Sequence, residues 1–432
     1  MPGRRFGYRW TIVALLFVAT TINYIDRQVL GILAPTLQRE LNWTETNYGD
    51  IVSWFSLMYA FGFLVAGHLI DRFGIKRGLG TAVVAWSLAA MAHAVARTAA
   101  GFSIARALLG VGESAVFPGA LKAIAEWFPK RERALAAGLS NAATNMGAIL
   151  APLLVPAIAL RWGWQWAFII TGALGFLWLG LWIPLYREPA LHPRVTPAEL
   201  QHIRSDGPEV TQDRVPWVRL LGYRQTWAYA VGKLLADPVW FFYLFWLPKF
   251  LDAQYGVKLS GLAAPLVVAY LVADVGAVGG GWLSSALITR GWSANRARKT
   301  AMLLMACLIV PTVFAPRAPN MWAAVLTVSV ALAAHQAWSA NVFTLPSDMF
   351  PRSAVGSVVG IGAFTGAMGG VIFQRLIGRI LDANGNNYTP IFIYCGGAYL
   401  AAWVIIHLLV PRLEPAPIKP ETAGALAARP AT

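Results

Sequence analysis

The chain has 432 residues, of which 57% are hydrophobic and 13% are charged, and its formal net charge is +15. Soluble globular domains contain about 25% charged residues, so the composition excludes an ordinary soluble protein and predicts a polytopic membrane protein. The positive charge could suggest a nucleic-acid partner. However, the basic residues lie in short patches between apolar segments, as positive-inside topology predicts. We therefore expect a lipid bilayer around the chain and no nucleic acid.

Apolar segments of about 20 residues, long enough to cross a bilayer core of about 30 Å, occur twelve times along the chain. They lie near residues 10–36, 48–70, 77–96, 101–124, 133–159, 165–186, 227–251, 263–288, 299–316, 321–345, 355–381 and 388–410. The first follows MPGRRFGYRW without a small-residue cleavage site and is interpreted as a retained helix. Cys307 and Cys395 both lie in apolar segments, so neither a disulfide framework nor a metal site is expected.

The segments divide into two groups of six. We predict an amino-terminal bundle at 1–186, a cytoplasmic linker at 187–222, a carboxy-terminal bundle at 223–410 and a disordered cytoplasmic tail at 411–432. The linker contains a helix-start pattern at Thr196-Pro197. An internal repeat supports the division, because Glu126 to Lys130 resembles Asp348 to Arg352 at an offset of 222. The same offset pairs Gly138 with Gly360 and Gly147 with Gly369. Such halves, with a site near the midplane between them, are typical of a rocking transporter.

Basic residues cluster at the amino end and in loops on one side of the predicted bundle. All of these clusters face the cytoplasm if both termini are cytoplasmic. They comprise Arg4, Arg5, Arg9, Arg72, Lys76, Arg77, Lys130, Arg131, Arg133, Arg290, Arg296, Arg298 and Lys299. We therefore expect an all-α protein with twelve transmembrane helices in two pseudo-repeats and both ends inside the cell.

Two opposite charges stand in the fourth segment. Arg106 and Glu113 are seven residues apart, so they project from one helix face about 10 Å apart along the axis. Charged side chains in a bilayer are costly and by default indicate a functional site. The alternative is that the two residues neutralise each other or hold a neighbouring helix.

Further polar groups lie inside other segments. Asp26 and Arg27 are adjacent, so they point about 100° apart. The remaining candidates are Tyr24, Tyr59, Lys233, Asp237, Trp240, His335, Gln336, Trp338, Ser339 and Asn341. Arg offers a planar fork for a carboxylate and Lys a mobile charge. Hydroxyl, amide and aromatic groups suit a sugar backbone, and a carboxylate in an apolar span can carry a proton.

These candidates also have structural interpretations. His335 could be a hydrogen-bonded structural imidazole, Trp240 and Trp338 could be core packing residues, and Lys233 could simply pair with Asp237. The sequence leaves these alternatives open.

The loop after the second segment reads GHLIDRFGIKR, from Gly67 to Arg77. It resembles the G-x-L-x-D-R-x-G-x-[KR]-[KR] signature of the major facilitator superfamily. The resemblance implies a cytoplasmic gate controlled by charge pairs. Its residues here are Gly67, Asp71, Arg72, Gly74 and Arg77.

Nearly the whole chain resembles the anion:cation symporter branch of that superfamily, and most closely its bacterial hexuronate and sugar-acid transporters. The resemblance depends on NYIDR, the stretch from Arg106 to Arg133, LADPVWFFYLFWLPKF and AHQAWSANVFTLPSDMFP. It implies that Arg27 binds the substrate carboxylate, that Asp26 and Glu113 carry protons, and that Arg106 supports Glu113. Substrate contacts are implied for Tyr24 and Tyr59 and for Gln336, Ser339 and Asn341. Lys233, Trp240 and His335 complete the expected binding site.

The expected function is import of a hexuronate with protons by alternating access, in a bacterial inner membrane. We expect no catalytic residues, no metal and no cofactor, with the proton as coupling ion and sodium left open, and a monomer with a small organic anion as its ligand. The alternatives are another acid such as galactonate or glucarate, a membrane-embedded enzyme and a transport-inactive sensor. A catalytic constellation is missing from the sequence, and the sensor would need a signalling domain.

Overall fold

The computed structural model describes residues 7–206 and 215–417, and these residues form helices and connecting loops without any strand. The expected all-α fold is therefore confirmed. Arg4 and Arg5, residues 207–214 of the linker and residues 418–432 of the expected tail lie outside the described part of the chain.

The described part of the first half, residues 7–186, contains seven helices. They are α1 (Arg9–Leu41), α2 (Glu45–Phe73), α3 (Ile75–Ala92), α4 (Ala99–Glu113), α5 (Val116–Trp127), α6 (Lys130–Trp162) and α7 (Trp164–Leu185). Two short helices follow in the connection, α8 (Pro197–Ile203) and α9 (Trp217–Leu220). Helix α8 begins where the sequence predicts it, because the hydroxyl of Thr196 accepts a hydrogen bond from the N–H of Glu199 at 3.2 Å.

The second half, from residue 223, contains the remaining helices. They are α10 (Arg224–Tyr255), α11 (Ala263–Thr289), α12 (Ala294–Ile309), α13 (Met321–Val342), α14 (Leu345–Met349), α15 (Arg352–Ala383) and α16 (Thr389–Leu409), and a 3-10 stretch at Val310–Arg317 continues α12.

Eleven helical segments of the described chain are long and apolar enough to cross a membrane. The other expected span corresponds to α3, which has 18 residues and carries Lys76 and Arg77 in its first turn. The bounds otherwise differ from the expected ones mainly where proline interrupts a segment. Pro118, Pro311 and Pro346 cannot donate to the carbonyls four residues earlier, and the helix breaks or tightens close to each of them.

The repeat is visible in the backbone. Phe128 and Phe350 are both extended, with φ/ψ of −129°/138° and −130°/147°. Pro129 and Pro351 follow as the caps of α6 and α15, with φ of −63° and −64°. The two matching sequence stretches therefore make the same turn into a long helix. The predicted division at 1–186, 187–222 and 223–410 stays a prediction, as does the orientation of the termini.

The helices of each half pack in the same pairs. Helix α1 lies against α6 and α10 lies against α15, while across the halves α2 contacts α15 and α11 contacts α6. The halves meet at the end of the molecule where α1 finishes and α2 begins. There the carboxylate of Asp382 accepts hydrogen bonds from the N–H groups of Glu45 and Thr46 at 2.9 and 2.8 Å, and Lys249 pairs with Glu45.

The opposite end, near the α2–α3 loop, is open. Among the described residues, the ion pairs at this end lie within one half, as between Asp71 and Lys122 or Arg298 and Asp348. The structure is thus closed at one end and open at the other, as expected for one state of a rocking transporter.

Candidate functional site

The site is centred on Arg27, just past the middle of α1. Its Nε and Nη2 atoms both lie 2.9 Å from Oε2 of Glu113, and Nη2 also donates to Oδ1 of Asn23 at 3.3 Å. The rings of Tyr24, Phe55 and Tyr59 face the guanidinium at 4.5, 5.0 and 5.0 Å. Only 5% of Arg27 is exposed and Glu113 is fully buried. A buried cation is thus held by one carboxylate and three aromatic faces.

Arg106 does not pair with Glu113, although the two residues share a face of α4. Its Nη1 and Nη2 atoms donate instead to the carbonyl oxygen of Arg27 at 3.1 and 3.2 Å. Arg106 is fully buried. It therefore fixes the backbone of α1 at the residue whose side chain binds Glu113, and direct mutual neutralisation of Arg106 and Glu113 is not the arrangement observed.

A polar cavity opens beside Arg27. All of its lining residues come from the first half, and the polar ones are Thr20, Asn23, Tyr24, Arg27, Tyr59, Ser140, Asn141 and Thr144. Tyr24, Arg27 and Tyr59 are thus brought together as the sequence predicts.

Asp26 lies away from this cavity. Its carboxylate is buried beside Thr171 of α7, and neither of its oxygens has a geometrically good hydrogen bond among the described residues. This separation follows from the rotation of about 100° between adjacent residues in a helix. Of the two expected proton carriers, only Glu113 contacts Arg27.

The second-half candidates form a separate cluster. Lys233 pairs with Asp237, one turn later in α10, at 2.8 Å, and its ammonium lies 4.4 Å from the Phe343 ring. The alternative of a Lys233–Asp237 pair is therefore the arrangement observed.

His335 is held by neighbouring side chains. Its Nδ1 lies 2.5 Å from the Tyr399 hydroxyl, its ring stacks on Trp240 at 5.3 Å, and its Nε2 lies 3.4 Å from the Ser339 hydroxyl. Asn341 donates to the carbonyls of Gly280 and Ala337. These contacts favour a packing role for His335, Trp240 and Asn341. Gln336 is half-buried.

The expected gate residues lie at the open end. Asp71 pairs with Lys122 of α5, which also donates to the carbonyl of Gly67 at 2.6 Å. Gly74 has φ of +79°, a conformation that glycine adopts without strain, and it connects α2 to α3. Arg72 and Arg77 are exposed. The Asp71 ion pair therefore joins two helices of the first half.

The sequence reasoning missed two sets of residues. Asn141 and Thr144 face the cavity from α6, and their signal was the presence of amide and hydroxyl groups at i, i+3 within an apolar span. The closing contacts of Glu45, Lys249 and Asp382 are near the ends of helices, where charged residues are common and give little signal.

A family model described as Major Facilitator Superfamily matches residues 16–374. The chain belongs to the major facilitator superfamily. The hexuronate transporter of Escherichia coli K12 is 32% identical, covering 94% of this chain and 93% of that protein. The galacturonate transporter of Dickeya chrysanthemi is 32% identical, covering 70% of this chain and 90% of that protein.

A relative of lower identity is also named as a sugar-acid transporter. The protein of Bacillus subtilis named probable galactarate/D-glucarate transporter is 28% identical over 94% of this chain and 93% of its own length.

The fold is similar to the crystal structure of a bacterial homologue of the human lysosomal transporter Spinster, in an inward-facing and occupied conformation. That likeness has a TM-score of 0.71 at 19% identity, covering 93% of this chain and 95% of that one.

Membership of the superfamily makes this chain a transporter and not an enzyme. Its apolar helices and its bacterial relatives place it in the bacterial inner membrane as a multi-pass protein.

Proposed function

We propose that this protein imports a hexuronate together with protons by alternating access, from a periplasm-facing to a cytoplasm-facing state, as a monomer with both termini in the cytoplasm. The observation that carries the proposal is the pairing of Arg27 with Glu113 at the wall of the cavity. Arginine is suited to a substrate carboxylate, and its partner is an acid that can take up a proton. The relatives named for hexuronate and galacturonate transport support the choice of substrate.

Proton uptake is coupled to substrate binding because Glu113 and the substrate carboxylate compete for Arg27. While Glu113 is ionised, it occupies Nε and Nη2 of Arg27. Its other oxygen, Oε1, has no hydrogen-bond partner among the described residues and is available for a proton. Protonation weakens the ion pair and frees the arginine fork for a substrate carboxylate. Proton and anion therefore bind together, and the empty protein returns with Arg27 and Glu113 paired.

The other residues have subordinate roles in this proposal. Tyr24 and Tyr59 contact the substrate beside Arg27, while Ser339, Gln336 and Lys233 face it from the second half. Asp26 is a second proton carrier, reached through the interior of the first half. Arg106 holds the backbone that positions Arg27.

The test is uptake by purified protein in liposomes with an imposed inward proton gradient. Labelled glucuronate is the substrate, galactonate, glucarate and lactate are competitors, and a sodium gradient without a proton gradient is the control. Proton-driven uptake inhibited only by hexuronates is expected. Inhibition by galactonate or glucarate instead would change the substrate, uptake driven by sodium would refute proton coupling, and no uptake of any acid would refute the function.

A further inference from the structure

A second cavity lies beside the closed end, between α2 and α4 of the first half and α15 of the second. This lateral cavity is lined by Asn47, Asp50 and Trp54 of α2, by the start of α4, and by Arg375 and Arg379 of α15. It shares no lining residue with the cavity of the candidate functional site. Because both halves contribute to its wall, the lateral cavity is complete only while this end of the protein is closed.

The lateral cavity carries an excess of positive charge. Arg375 and Arg379 are four residues apart and project from the same side of α15. The Nε atom of Arg375 donates to the hydroxyl of Ser53 at 3.0 Å and lies 3.4 Å from Oδ1 of Asp50. Among the described residues, neither Nη atom of Arg375 donates a hydrogen bond, and the exposed Arg379 has no ion pair. Two guanidinium groups thus face one carboxylate, and most of their donors are free.

An exposed apolar surface continues from the arginines toward the middle of the spans. Ile372 and Leu376 lie on the arginine side of α15, and Ile104 of α4 forms part of the cavity wall; all three side chains are exposed. The ring of Trp54 lies 5.8 Å from the guanidinium of Arg375, and tryptophan is enriched where a membrane meets water. The lateral cavity is therefore cationic toward the closed end and apolar toward the bilayer core.

This distribution of charge is complementary to a phospholipid with an anionic headgroup. The guanidinium fork fits phosphate oxygens, and basic pockets between membrane helices bind lipid headgroups. Acyl chains would cover the exposed side chains of Ile104, Ile372 and Leu376. A small soluble anion could occupy the arginines but would leave this apolar surface without a partner.

The lateral cavity adjoins a contact that joins the halves. Asp382, three residues after Arg379, accepts hydrogen bonds from the N–H groups of Glu45 and Thr46 at the start of α2. A ligand that binds one of two states more tightly shifts the equilibrium toward that state. A headgroup held between α2 and α15 would therefore favour the closed form of this end.

We propose that an anionic phospholipid binds in the lateral cavity and stabilises the state that is closed at this end. Its phosphate is held by Arg375 and Arg379, and its acyl chains lie along Ile104, Ile372 and Leu376. The lipid acts from the membrane side of the protein, so this site is separate from the transported substrate and its cavity.

The first test measures lipid binding to the purified full-length protein by native mass spectrometry. Phosphatidylglycerol is the anionic probe, and phosphatidylcholine with the same acyl chains is the zwitterionic probe. One basic residue near a membrane surface contributes about fivefold to the affinity for anionic lipid. Arg379→Gln is therefore expected to weaken phosphatidylglycerol binding about fivefold and Arg375→Gln/Arg379→Gln about 25-fold, with phosphatidylcholine binding unchanged.

The controls separate charge, folding and position. Arg161→Gln removes an exposed arginine at the end of α6, outside the lateral cavity, and should leave phosphatidylglycerol binding unchanged. Arg379→Lys keeps the charge and should retain most of the affinity, while melting temperatures identify any variant that fails to fold. Equal phosphatidylglycerol affinity in the wild type and the folded double variant would overturn the site. Equally strong competition by glycerol phosphate, which has no acyl chains, would show that the occupant is a soluble anion and would overturn the lipid.

The second test measures the effect on conformation. Spin labels at positions 42 and 258 report the separation of the halves at the closed end by electron paramagnetic resonance. In nanodiscs, phosphatidylglycerol should increase the fraction of short distances relative to phosphatidylcholine in the wild type and in Arg161→Gln, but not in the double variant. Lipid binding without this change would overturn the stabilising role. No sugar acid is present in either test, so both results are independent of the proposed transport function.

Discussion

Replacement of Glu113 by Gln separates binding from coupling. The substitution preserves the size of the side chain but removes its charge and its capacity to exchange a proton. In the wild type, Oε2 of Glu113 accepts from both Nε and Nη2 of Arg27. A substrate carboxylate has to take over these donors, so Glu113 competes with the substrate for Arg27.

The size of this competition follows from the contacts. In Glu113→Gln, Arg27 remains charged and donates to a neutral amide oxygen, so these hydrogen bonds keep part of their strength while the attraction between two full charges is lost. We take this loss as about 1.4 kcal/mol, which corresponds to about tenfold in affinity. We expect Glu113→Gln to bind glucuronate about tenfold more tightly than the wild type at neutral pH. The wild type should bind more tightly as the pH falls, and the variant should lose this dependence.

The assay combines two measurements on the same preparation. Binding is titrated across pH in detergent, and transport is measured in liposomes both as proton-driven accumulation and as exchange of internal for external glucuronate. The variant should exchange substrate but not accumulate it. Glu40→Gln is the matched control, since Glu40 also lies in the first half and accepts from Trp164 at the closed end. Weaker binding by Glu113→Gln, or accumulation against a gradient, would refute the competition for Arg27.

Two further substitutions test the fold and its closed end. Asp382→Ala removes both hydrogen bonds to the start of α2. The distance between spin labels at positions 42 and 258, measured by electron paramagnetic resonance, should therefore increase in this variant, while Asp71→Ala at the open end should leave that distance unchanged. Equal distances in the two variants would contradict a closing role for Asp382. Gly147→Ala places a Cβ 2.5 Å from Tyr24 and should lower both the melting temperature and glucuronate affinity, whereas Gly138→Ala on the same helix meets nothing within 4 Å and should leave the melting temperature unchanged.

Much of the fold follows from the sequence because a bilayer allows few structures. Apolar segments of the right length have to form helices, since no water is present to satisfy the backbone. The breaks near Pro118 and Pro346 could not be assigned from proline alone, because α1, α6 and α10 continue through Pro35, Pro152 and Pro238. The repeat predicted that Gly147 and Gly369 occupy corresponding places. In the structure both pack tightly, against Tyr24 of α1 and Leu234 of α10.

The pairing of the site residues could not be predicted in the same way. Arg106 and Glu113 share a helix face, so sequence spacing favours a pair between them. The partner of Glu113 is instead Arg27, 86 residues earlier in the chain. Which of two arginines reaches the carboxylate depends on how α1 and α4 are rotated against each other, and this is a property of tertiary packing.

The chemistry of the closed end explains how such a structure can change state. Its contacts across the halves are both polar and apolar: the ion pairs Lys249–Glu45 and Arg39–Asp252, the bonds from Asp382 to the start of α2, and the packed rings of Tyr48 and Trp246. The polar groups can bind water instead, so the net cost of separating each pair is about 0.5–1.5 kcal/mol, with more for charged groups. The substrate can offset the cost of opening this end only by the difference between its affinities for the two states.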